Sequence, residues 1–363
     1  MASANARATG RPWTRDLGFL LAILAIAAGI RMWGPRGEVF TPDGVNFLEP
    51  DAWYHVRLAE NQAHNFPFRV THDPYASPDG MYVPVAPLFD TAIAALVVVT
   101  GGTSPGTDHV ARVAAFVPPA LGVLAVALVY ALGRLAFGSR AALLAATLAA
   151  ILPGQFLDRT LLGYVDHHAL EVALALAVLL ALGRVAGARD GNGPPSPRDV
   201  AVSAVLPGTM LGWYLLSWSS GALLVAVIAV WLSLQALADA WAAKRDGGLA
   251  RVVAAAAAVA LALVLAFQDP ALHRYGSQIV ALAGLAALGV AIDLARRFEP
   301  GRRAVVALVA GGAVVATVAA LAVRLLAPGV FATVVGDVLR FAPDPARMSV
   351  LEARPLFLFS GAW

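Results

Sequence analysis

Long apolar runs separated by short polar segments dominate the pattern of hydrophobic and polar positions along the chain. A helix rises about 1.5 Å per residue, so about 20 apolar residues cross a hydrocarbon core of about 30 Å. Nine windows of this size are predicted to be membrane-spanning helices. They cover residues 17–33, 113–132, 141–157, 169–183, 200–217, 221–240, 252–267, 277–295 and 304–327. The predicted fold class is therefore an all-α polytopic membrane protein.

A tenth apolar run, 86–101, is predicted to be a re-entrant or interfacial helix. It is shorter than the others, begins at Pro87 with Asp90 in its first turn, and ends at Gly101 and Gly102. Counting this run as a span would move every later loop to the other side of the membrane. With nine spans and an inside N-terminus, more than half of the 26 basic residues lie in inside segments, as the positive-inside rule requires.

This topology places three segments on the outer face, where we expect the chemistry: 34–112, 158–168 and 328–363. The predicted organisation is a transmembrane domain over 1–327, with interfacial helices in its long first external loop, followed by the start of a large external loop over 328–363. A C-terminal soluble domain is expected to be absent. We expect a multi-pass protein of the plasma (inner) membrane, with the first span kept as an anchor and the active site on the external face.

The composition agrees with a membrane protein and limits the other classes. Hydrophobic residues make up 59% of the 363 residues, charged residues only 13%, and the mean hydropathy is +0.73, whereas an average soluble domain is about 25% charged. These values argue against a solenoid, a disordered chain and a nucleic-acid binder. Because the chain has no cysteine, a metal ion would need Asp, Glu or His as ligands.

The first segment with candidate chemistry is 49–57, Glu-Pro-Asp-Ala-Trp-Tyr-His-Val-Arg. Asp51 follows a proline, so it could be an ordinary helix N-cap whose side-chain oxygen accepts a backbone N–H at the start of a helix. The alternative is that its carboxylate takes part in the reaction. The aromatic residues of this segment suit a membrane interface.

The second segment, 159–171, concentrates polar groups in a short outer loop and at the start of the next span. Asp166 and His168 are two residues apart, so a carboxylate and an imidazole could chelate one cation. Glu171 is three residues after His168 and could orient a histidine ring as an outer acceptor. The alternative is an aspartate cap with histidines that reach the membrane interface. Such density of polar groups at a membrane entry is costly and favours a function.

The third segment, 348–355, contains Glu352. A single glutamate in a loop is usually a solvated charge, and the residues alone do not distinguish this from a catalytic role. The topology gives Glu352 its significance, because it places Asp51, Asp166 and Glu352 near the same face of the membrane although they are far apart in the chain.

Together the three segments resemble the catalytic subunit of the oligosaccharyltransferase family, which carries out N-linked protein glycosylation. Residues 51–57 are similar to the first acidic motif of this family. Residues 163–168, Gly-Tyr-Val-Asp-His-His, resemble its second motif, and Arg159 matches the basic residue before it. Residues 349–352, Ser-Val-Leu-Glu, resemble its [Ser/Thr]-[Val/Ile]-x-Glu motif. The resemblance covers essentially the whole chain and implies the transmembrane domain of a GT-C type glycosyltransferase.

The resemblance implies transfer of a glycan from a polyprenyl diphosphate carrier to the side-chain amide of Asn in Asn-x-Ser/Thr, with inversion at the sugar carbon. It makes Asp51 and Glu352 the catalytic pair that holds the acceptor amide. It also makes Asp51, Asp166 and His168 the ligands of a divalent cation, Mn²⁺ or Mg²⁺, with Zn²⁺ left open. The implied partners are the lipid-linked oligosaccharide, an acceptor polypeptide and membrane lipid.

Three further residues are predicted to bind substrate. Arg159 and His167 belong to the second segment, and Trp218 lies in an outer turn, 213–221, that could line the groove for the lipid donor. The alternative for Trp218 is an aromatic belt at the membrane interface. His72 and Asp73 are interpreted as part of ordinary turns and are not included in the site.

Members of the family continue through about four further spans into an external domain with a Trp-Trp-Asp motif, and this motif does not occur in the 363 residues. The resemblance therefore does not imply activity of these residues alone. One alternative function is another polyprenyl-sugar-dependent glycosyltransferase of the same architecture, acting on a lipid or polysaccharide. A transporter and an inactive fragment are more distant alternatives.

Overall fold

The structure is a computed structural model that describes residues 13–75, 78–83, 85–188, 195–218, 220–242, 248–267, 276–298, 302–326, 328–329, 331–332 and 335. Most of the described chain is helical, which confirms the predicted all-α membrane architecture. Glu352 and the rest of the third segment lie outside the described residues. The division of the chain at residue 327 stays a prediction.

Thirteen helices and four short strands follow one another along the described chain. They are α1 Trp13–Trp33, α2 Arg36–Val39, β1 Phe40–Thr41, β2 Gly44–Val45, α3 Asp51–His64, β3 His72–Asp73, β4 Met81–Tyr82, α4 Pro87–Gly101, α5 Thr107–Phe137, α6 Ser139–Ile151, α7 Gln155–Asp158, α8 His168–Gly187, α9 Pro197–Ser217, α10 Ala222–Trp241, α11 Leu249–Phe267, α12 Gly276–Phe298 and α13 Arg302–Leu326.

Each of the nine predicted spans coincides with a helix: α1, α5, α6 and α8 to α13. Within the described residues, seven helices are long and apolar enough to cross a membrane by length and composition. The short helix α4 has 15 residues, or about 22 Å, and begins with Pro87 as predicted for a non-spanning helix. It packs against α3, α5 and α9.

Helix α6 is shorter than the predicted span over 141–157. It ends at Ile151 because Leu152 adopts an extended conformation and Pro153 and Gly154 follow, with φ of +132° at Gly154. Helix α6 nevertheless packs along α1. Arg134, just before α6, pairs with Asp16 of α1 at 2.5 Å, and Arg31 of α1 donates to the carbonyl oxygen of Ala150 at 3.0 Å. Arg134, which belongs to α5, also donates to Ser139, the first residue of α6, at 3.0 Å, so both ends of this 13-residue helix lie beside α1.

The segment between α1 and α5 contains two small hairpins that the sequence pattern did not predict. Strand β1 pairs antiparallel with β2, with Phe40 opposite Val45, and β3 pairs antiparallel with β4, with His72 opposite Tyr82. Helices α2, α3 and α4 lie in the same segment. This part of the chain is folded against the start of α5.

Close contact between α9 and α11 stabilises the second half of the membrane domain. Gly208 and Gly212 lie one turn apart on α9, and a Cβ atom at Gly208 would be 2.6 Å from the carbonyl oxygen of Ala256. Small residues spaced in this way let two membrane helices approach closely. One apolar core joins α8 to α12, and a second joins α3, α4, α5 and the segment before α8.

Candidate functional site

Three backbone hydrogen bonds hold the segment between α7 and α8. Leu162 N–H donates to the carbonyl oxygen of Arg31 at 2.9 Å, and Gly163 N–H donates to that of Ala115 at 3.1 Å. Leu48 N–H in turn donates to the carbonyl oxygen of Gly163 at 3.1 Å. These bonds place the second candidate segment beside the first, as the predicted topology required.

Gly163 makes this arrangement possible. Its φ of +81° is a left-handed backbone conformation that residues with a Cβ atom rarely adopt. A Cβ atom here would also be 2.6 Å from Cγ2 of Val39, which is fully buried. The glycine of the Gly-Tyr-Val-Asp-His-His motif is therefore needed for the turn that presents Asp166.

Asp166 is buried, and its two carboxylate oxygens face different partners. Oδ1 is 2.7 Å from His167 Nδ1 and 3.8 Å from His55 Nε2. Oδ2 is 3.2 Å from the Arg159 guanidinium and 3.5 Å from His168 Nε2. Arginine and three imidazoles thus surround one carboxylate, and the predicted residues Arg159, His167 and His168 all meet at Asp166.

The electrostatic environment keeps Asp166 ionised. Burial by itself would raise the pKa of this carboxyl group, but the contact with His167 and the charges of His167, His168 and His55 lower its pKa to about 2. An ionised carboxylate is the form that binds a cation.

Ligand atoms for a metal ion converge in two overlapping groups among the described residues. Atoms of His55, Asp166 and His167 all lie within 4.8 Å of one another, and so do atoms of His167, His168 and Glu171. Imidazole nitrogens suit Zn²⁺, whereas carboxylate oxygens suit Mn²⁺ and Mg²⁺. The donor set therefore fits a divalent cation.

Glu171 has the orienting role predicted for it. Its Oε2 atom accepts a hydrogen bond from His168 Nδ1 at 2.8 Å, which leaves Nε2 as the ring nitrogen that faces Asp166. A histidine that binds a metal commonly has its other ring nitrogen fixed by a carboxylate in this way.

Asp51 is the first residue of α3 and is exposed, and the interpretation of its side chain as the helix cap is wrong. No side chain caps this helix at Pro50, and Asp51 donates its own backbone N–H to Glu49 Oε2 at 3.0 Å. Within the described residues, Asp51 belongs to neither group of converging ligand atoms. Its predicted role as a metal ligand and catalytic residue stays a prediction.

Glu49 is an acidic residue of the site that was not predicted. Its Oε1 atom is buried and has no hydrogen-bond partner in the described part of the chain. Burial raises the pKa of Glu49, and the charges of Asp166 and Asp51 raise it further. The charges of Asp51 and Asp166 therefore both act on Glu49.

His55 and Asp90 were also missed as site residues. His55 is 1% exposed and lies on the buried face of α3, and its Nδ1 atom is hydrogen-bonded to Asp90 Oδ1 over 2.6 Å. The available signals were a histidine one turn after Asp51 and an aspartate in an otherwise apolar helix. Their pairing could not be predicted, because it depends on how α3 packs against α4.

Trp218 packs on a different apolar core from the one that contains Val165. It ends α9, contacts the ring of Tyr214 edge-on at 6.3 Å, and packs against the core of α8 to α12. Gln278 donates to its carbonyl oxygen at 3.0 Å. Its predicted role in lining a lipid-donor groove stays a prediction.

Asp73 has the turn chemistry predicted for it, since its carboxylate accepts a hydrogen bond from the backbone N–H of Tyr75. It also pairs with Arg57, whose guanidinium contacts the rings of Tyr54 and Tyr75. The second hairpin is thereby attached to α3, which carries Asp51 and His55.

Comparison with known proteins identifies relatives over nearly the whole chain. Residues 19–341 match the family described as Oligosaccharyl transferase STT3, N-terminal. The chain is 35% identical to dolichyl-phosphooligosaccharide-protein glycotransferase 3 of Archaeoglobus fulgidus, over 69% of this chain and 30% of that protein. It is 29% identical to dolichyl-monophosphooligosaccharide-protein glycotransferase AglB of Haloferax volcanii, over 88% of this chain and 32% of that protein.

Solved structures show the same fold. The archaeal oligosaccharyltransferase AglB from Archaeoglobus fulgidus, in complex with an inhibitory peptide and a dolichol-phosphate, is 27% identical with a TM-score of 0.81, over 93% of this chain and 41% of that one. The Archaeoglobus fulgidus oligosaccharyltransferase in complex with Zn and sulfate is 26% identical with a TM-score of 0.74, over 92% and 43%. The chain spans less than half the length of each of these relatives.

Proposed function

Because the chain belongs to the STT3 family of oligosaccharyl transferases, we propose that it forms the membrane part of an enzyme that glycosylates asparagine. The donor is an oligosaccharide on a polyprenyl phosphate or diphosphate carrier, and the acceptor is Asn in an Asn-x-Ser/Thr sequence. The relatives are named as glycotransferases that act on proteins, and one is solved with a peptide and a dolichol-phosphate.

The observation that carries this proposal is the convergence of Arg159 and His168 on one oxygen of Asp166. Oδ2 is 3.2 Å from the guanidinium and 3.5 Å from the imidazole, and the carboxylate is buried. A cation ligand is thus adjacent to a basic side chain at the end of a predicted membrane span. This combination can stabilise the negative charge of a departing phosphate.

The proposed cation ligands are Asp51, Asp166 and His168. A bound divalent cation supplies charge that stabilises the negative phosphate as it departs. Mn²⁺ and Mg²⁺ are the expected ions, and Zn²⁺ is favoured by the number of imidazoles in this site. The structure in complex with Zn and sulfate belongs to a relative with the same fold.

On the acceptor side, Asp51 and Glu352 are proposed to accept hydrogen bonds from the two N–H groups of the asparagine amide. The lone pair of an amide nitrogen is delocalised into its carbonyl group, so the nitrogen is a weak nucleophile. Two carboxylates that hold its N–H groups weaken this conjugation. Direct attack on the sugar carbon needs no covalent enzyme intermediate, so the configuration at this carbon is inverted.

On the donor side, Arg159 is proposed to bind phosphate oxygens, since a guanidinium donates in a planar geometry that matches them. Its Nε atom donates to Gln155 Oε1 at 2.8 Å, which fixes the guanidinium beside Asp166. His167 and Trp218 are the remaining substrate-binding candidates. The lipid tail of the carrier explains the location of the site at the end of a span. We place this end on the external face of the plasma membrane.

The test is a transfer assay with the full-length gene product in membranes, a polyprenyl-linked oligosaccharide and an Asn-x-Thr peptide. We expect a glycopeptide, its loss on treatment with EDTA, and recovery with Mn²⁺. Asp51→Ala and Glu352→Ala should abolish transfer, while Asp108→Ala, an exposed aspartate at the start of α5, should not. Normal turnover of Asp51→Ala would contradict the proposal.

The same assay separates the competing function. An enzyme that transfers sugar to a lipid or polysaccharide would consume the donor without forming a glycopeptide. An Asn-x-Thr peptide whose asparagine is replaced by glutamine should accept no glycan.

A further inference from the structure

A buried pair of polar residues lies on the side of Asp166 opposite to Arg159 and His168. This pair has no role in the proposed reaction. His55 of α3 and Asp90 of α4 have side chains only 2% and 7% exposed. Their hydrogen bond, from Nδ1 to Oδ1, is 2.6 Å long. Burying two ionisable groups is expensive, even when they are paired, and apolar residues of similar size are often at least as stable.

The pair is oriented toward the site. His55 Nδ1 donates to Asp90, so the opposite ring nitrogen, Nε2, faces Asp166 Oδ1 at 3.8 Å. The imidazole packs edge-on against Phe89 at 5.2 Å and lies 5.6 Å from the ring of His167. Apolar packing on one side and a carboxylate on the other leave the ring little freedom to rotate.

The carboxylate of Asp166 has two oxygens that are chemically equivalent, so rotation about its last bond would exchange their environments. In the structure Oδ1 faces His55 and His167, whereas Oδ2 faces Arg159 and His168. The contacts of one oxygen with His55 and His167 determine which oxygen faces Arg159 and His168.

We propose that His55 and Asp90 are positioning residues: Asp90 fixes the His55 ring, and the ring holds the Oδ1 side of Asp166 so that Oδ2 faces His168 and Arg159. This inference rests on the proposed cation site of Asp166 and His168. Groups that orient a metal ligand from behind typically change metal affinity by about 10–100-fold when removed.

The test measures Mn²⁺ affinity of the purified 363-residue chain in detergent, from the EPR signal of free Mn²⁺. Asp90→Leu removes the acceptor of the His55 hydrogen bond and suits an apolar site, so Mn²⁺ binding should weaken by about 10–100-fold. Asp90→Asn keeps an oxygen that can accept this bond and should restore most of the affinity. Asp108→Leu, at an exposed aspartate, is the matched control and should bind as the parent chain does.

A purely structural role predicts a different result: Asp90→Leu would lower the melting temperature and leave Mn²⁺ affinity unchanged, which would overturn the inference. An equal loss in Asp90→Leu and Asp90→Asn would also overturn it, because the hydrogen bond would then not matter. If Asp90→Leu does not fold, Asp90→Ala removes the same acceptor and keeps His55 in place. Weak Mn²⁺ binding by this folded variant supports the inference, and parent-like binding or loss of folding overturns it.

The outcome is separate from that of the transfer assay. Absence of Mn²⁺ binding by the parent chain would overturn both the cation site and the positioning role. Parent binding that survives in Asp90→Leu would overturn the positioning role alone and leave the proposed function standing.

Discussion

Arg31 Nε donates a hydrogen bond to Thr160 Oγ1 over 2.9 Å, and both residues are buried. The same guanidinium donates to the carbonyl oxygen of Ala150 at 3.0 Å and lies 5.3 Å from the ring centre of Phe156. One side chain therefore joins the end of α1, the end of α6 and the segment that leads to Arg159. Neither the motifs nor the hydropathy pattern distinguish this arginine from the others.

Replacing Arg31 by methionine should destabilise the protein. The carbonyl oxygen of Ala150 would lose its donor in an apolar region, at a cost of about 1–3 kcal/mol. The measurement is thermal unfolding in detergent. Arg112→Met is the control, because Arg112 forms an exposed pair with Asp108 that contributes little. Equal stability of the two variants would contradict the prediction. A higher melting temperature for Arg31→Met would mean that burying the guanidinium costs more than its hydrogen bonds contribute.

Replacing Gly163 by alanine should destabilise the segment that carries Asp166. The left-handed conformation alone costs about 1–2 kcal/mol for a residue with a Cβ atom, and the contact with Val39 adds to this cost. We expect a lower melting temperature and weaker Mn²⁺ binding. Gly187→Ala is the control, since a Cβ atom there meets nothing within 4 Å. Parent-like Mn²⁺ affinity of Gly163→Ala would refute the role of the turn.

The ionisation of Asp166 should make a pH-dependent contribution to stability. Its pKa of about 2 in the folded chain is below the ordinary value of 3.8, so the ionised carboxylate stabilises the fold above pH 3.8. This stabilisation, on the order of 2 kcal/mol, should disappear as the pH falls toward 2. Thermal unfolding of the parent chain and of Asp166→Asn, measured in EDTA at a series of pH values, checks this prediction. A difference between them that stays constant from pH 5 to pH 2 would contradict the prediction.

The proposed sidedness can be tested because the chain has no cysteine. A single cysteine at the exposed Asp158 should react with an impermeant thiol reagent added to intact cells. A cysteine at the exposed Arg140, at the other end of α6, should react only after permeabilisation. The reverse pattern would place the site on the inner face and invalidate the predicted topology.

The spans were predictable because the thickness of the hydrocarbon core sets the length of an apolar run, and this length can be read directly from the sequence. The short helix at 87–101 was predictable for the same reason. The end of α6 was placed six residues too late, since the apolar run continues past the turn that Pro153 and Gly154 impose. Hydropathy alone does not detect a break in which the side chains on both sides remain apolar.

The cluster around Asp166 could be predicted because Arg159, Asp166 and His168 are close in the sequence. His55 and Asp90 are 35 residues apart and meet only through the packing of α3 on α4. Such pairs cannot be recognised from spacing. Asp51 illustrates the opposite case: the local rule of a capping aspartate failed because the helix starts one residue earlier, with Pro50 at the N-cap and Asp51 already in the first turn.

The shortness of α6 has a consequence for the surrounding lipid. Its 13 residues extend about 20 Å, roughly 10 Å less than the hydrocarbon core, yet both of its ends lie beside α1. Hydrophobic mismatch of this size is relieved by local thinning of the bilayer. We therefore expect lipid head groups to dip toward the protein beside residues 152–158. Under the proposed function, a carrier lipid would then present its phosphate at the depth of Arg159 without leaving its leaflet.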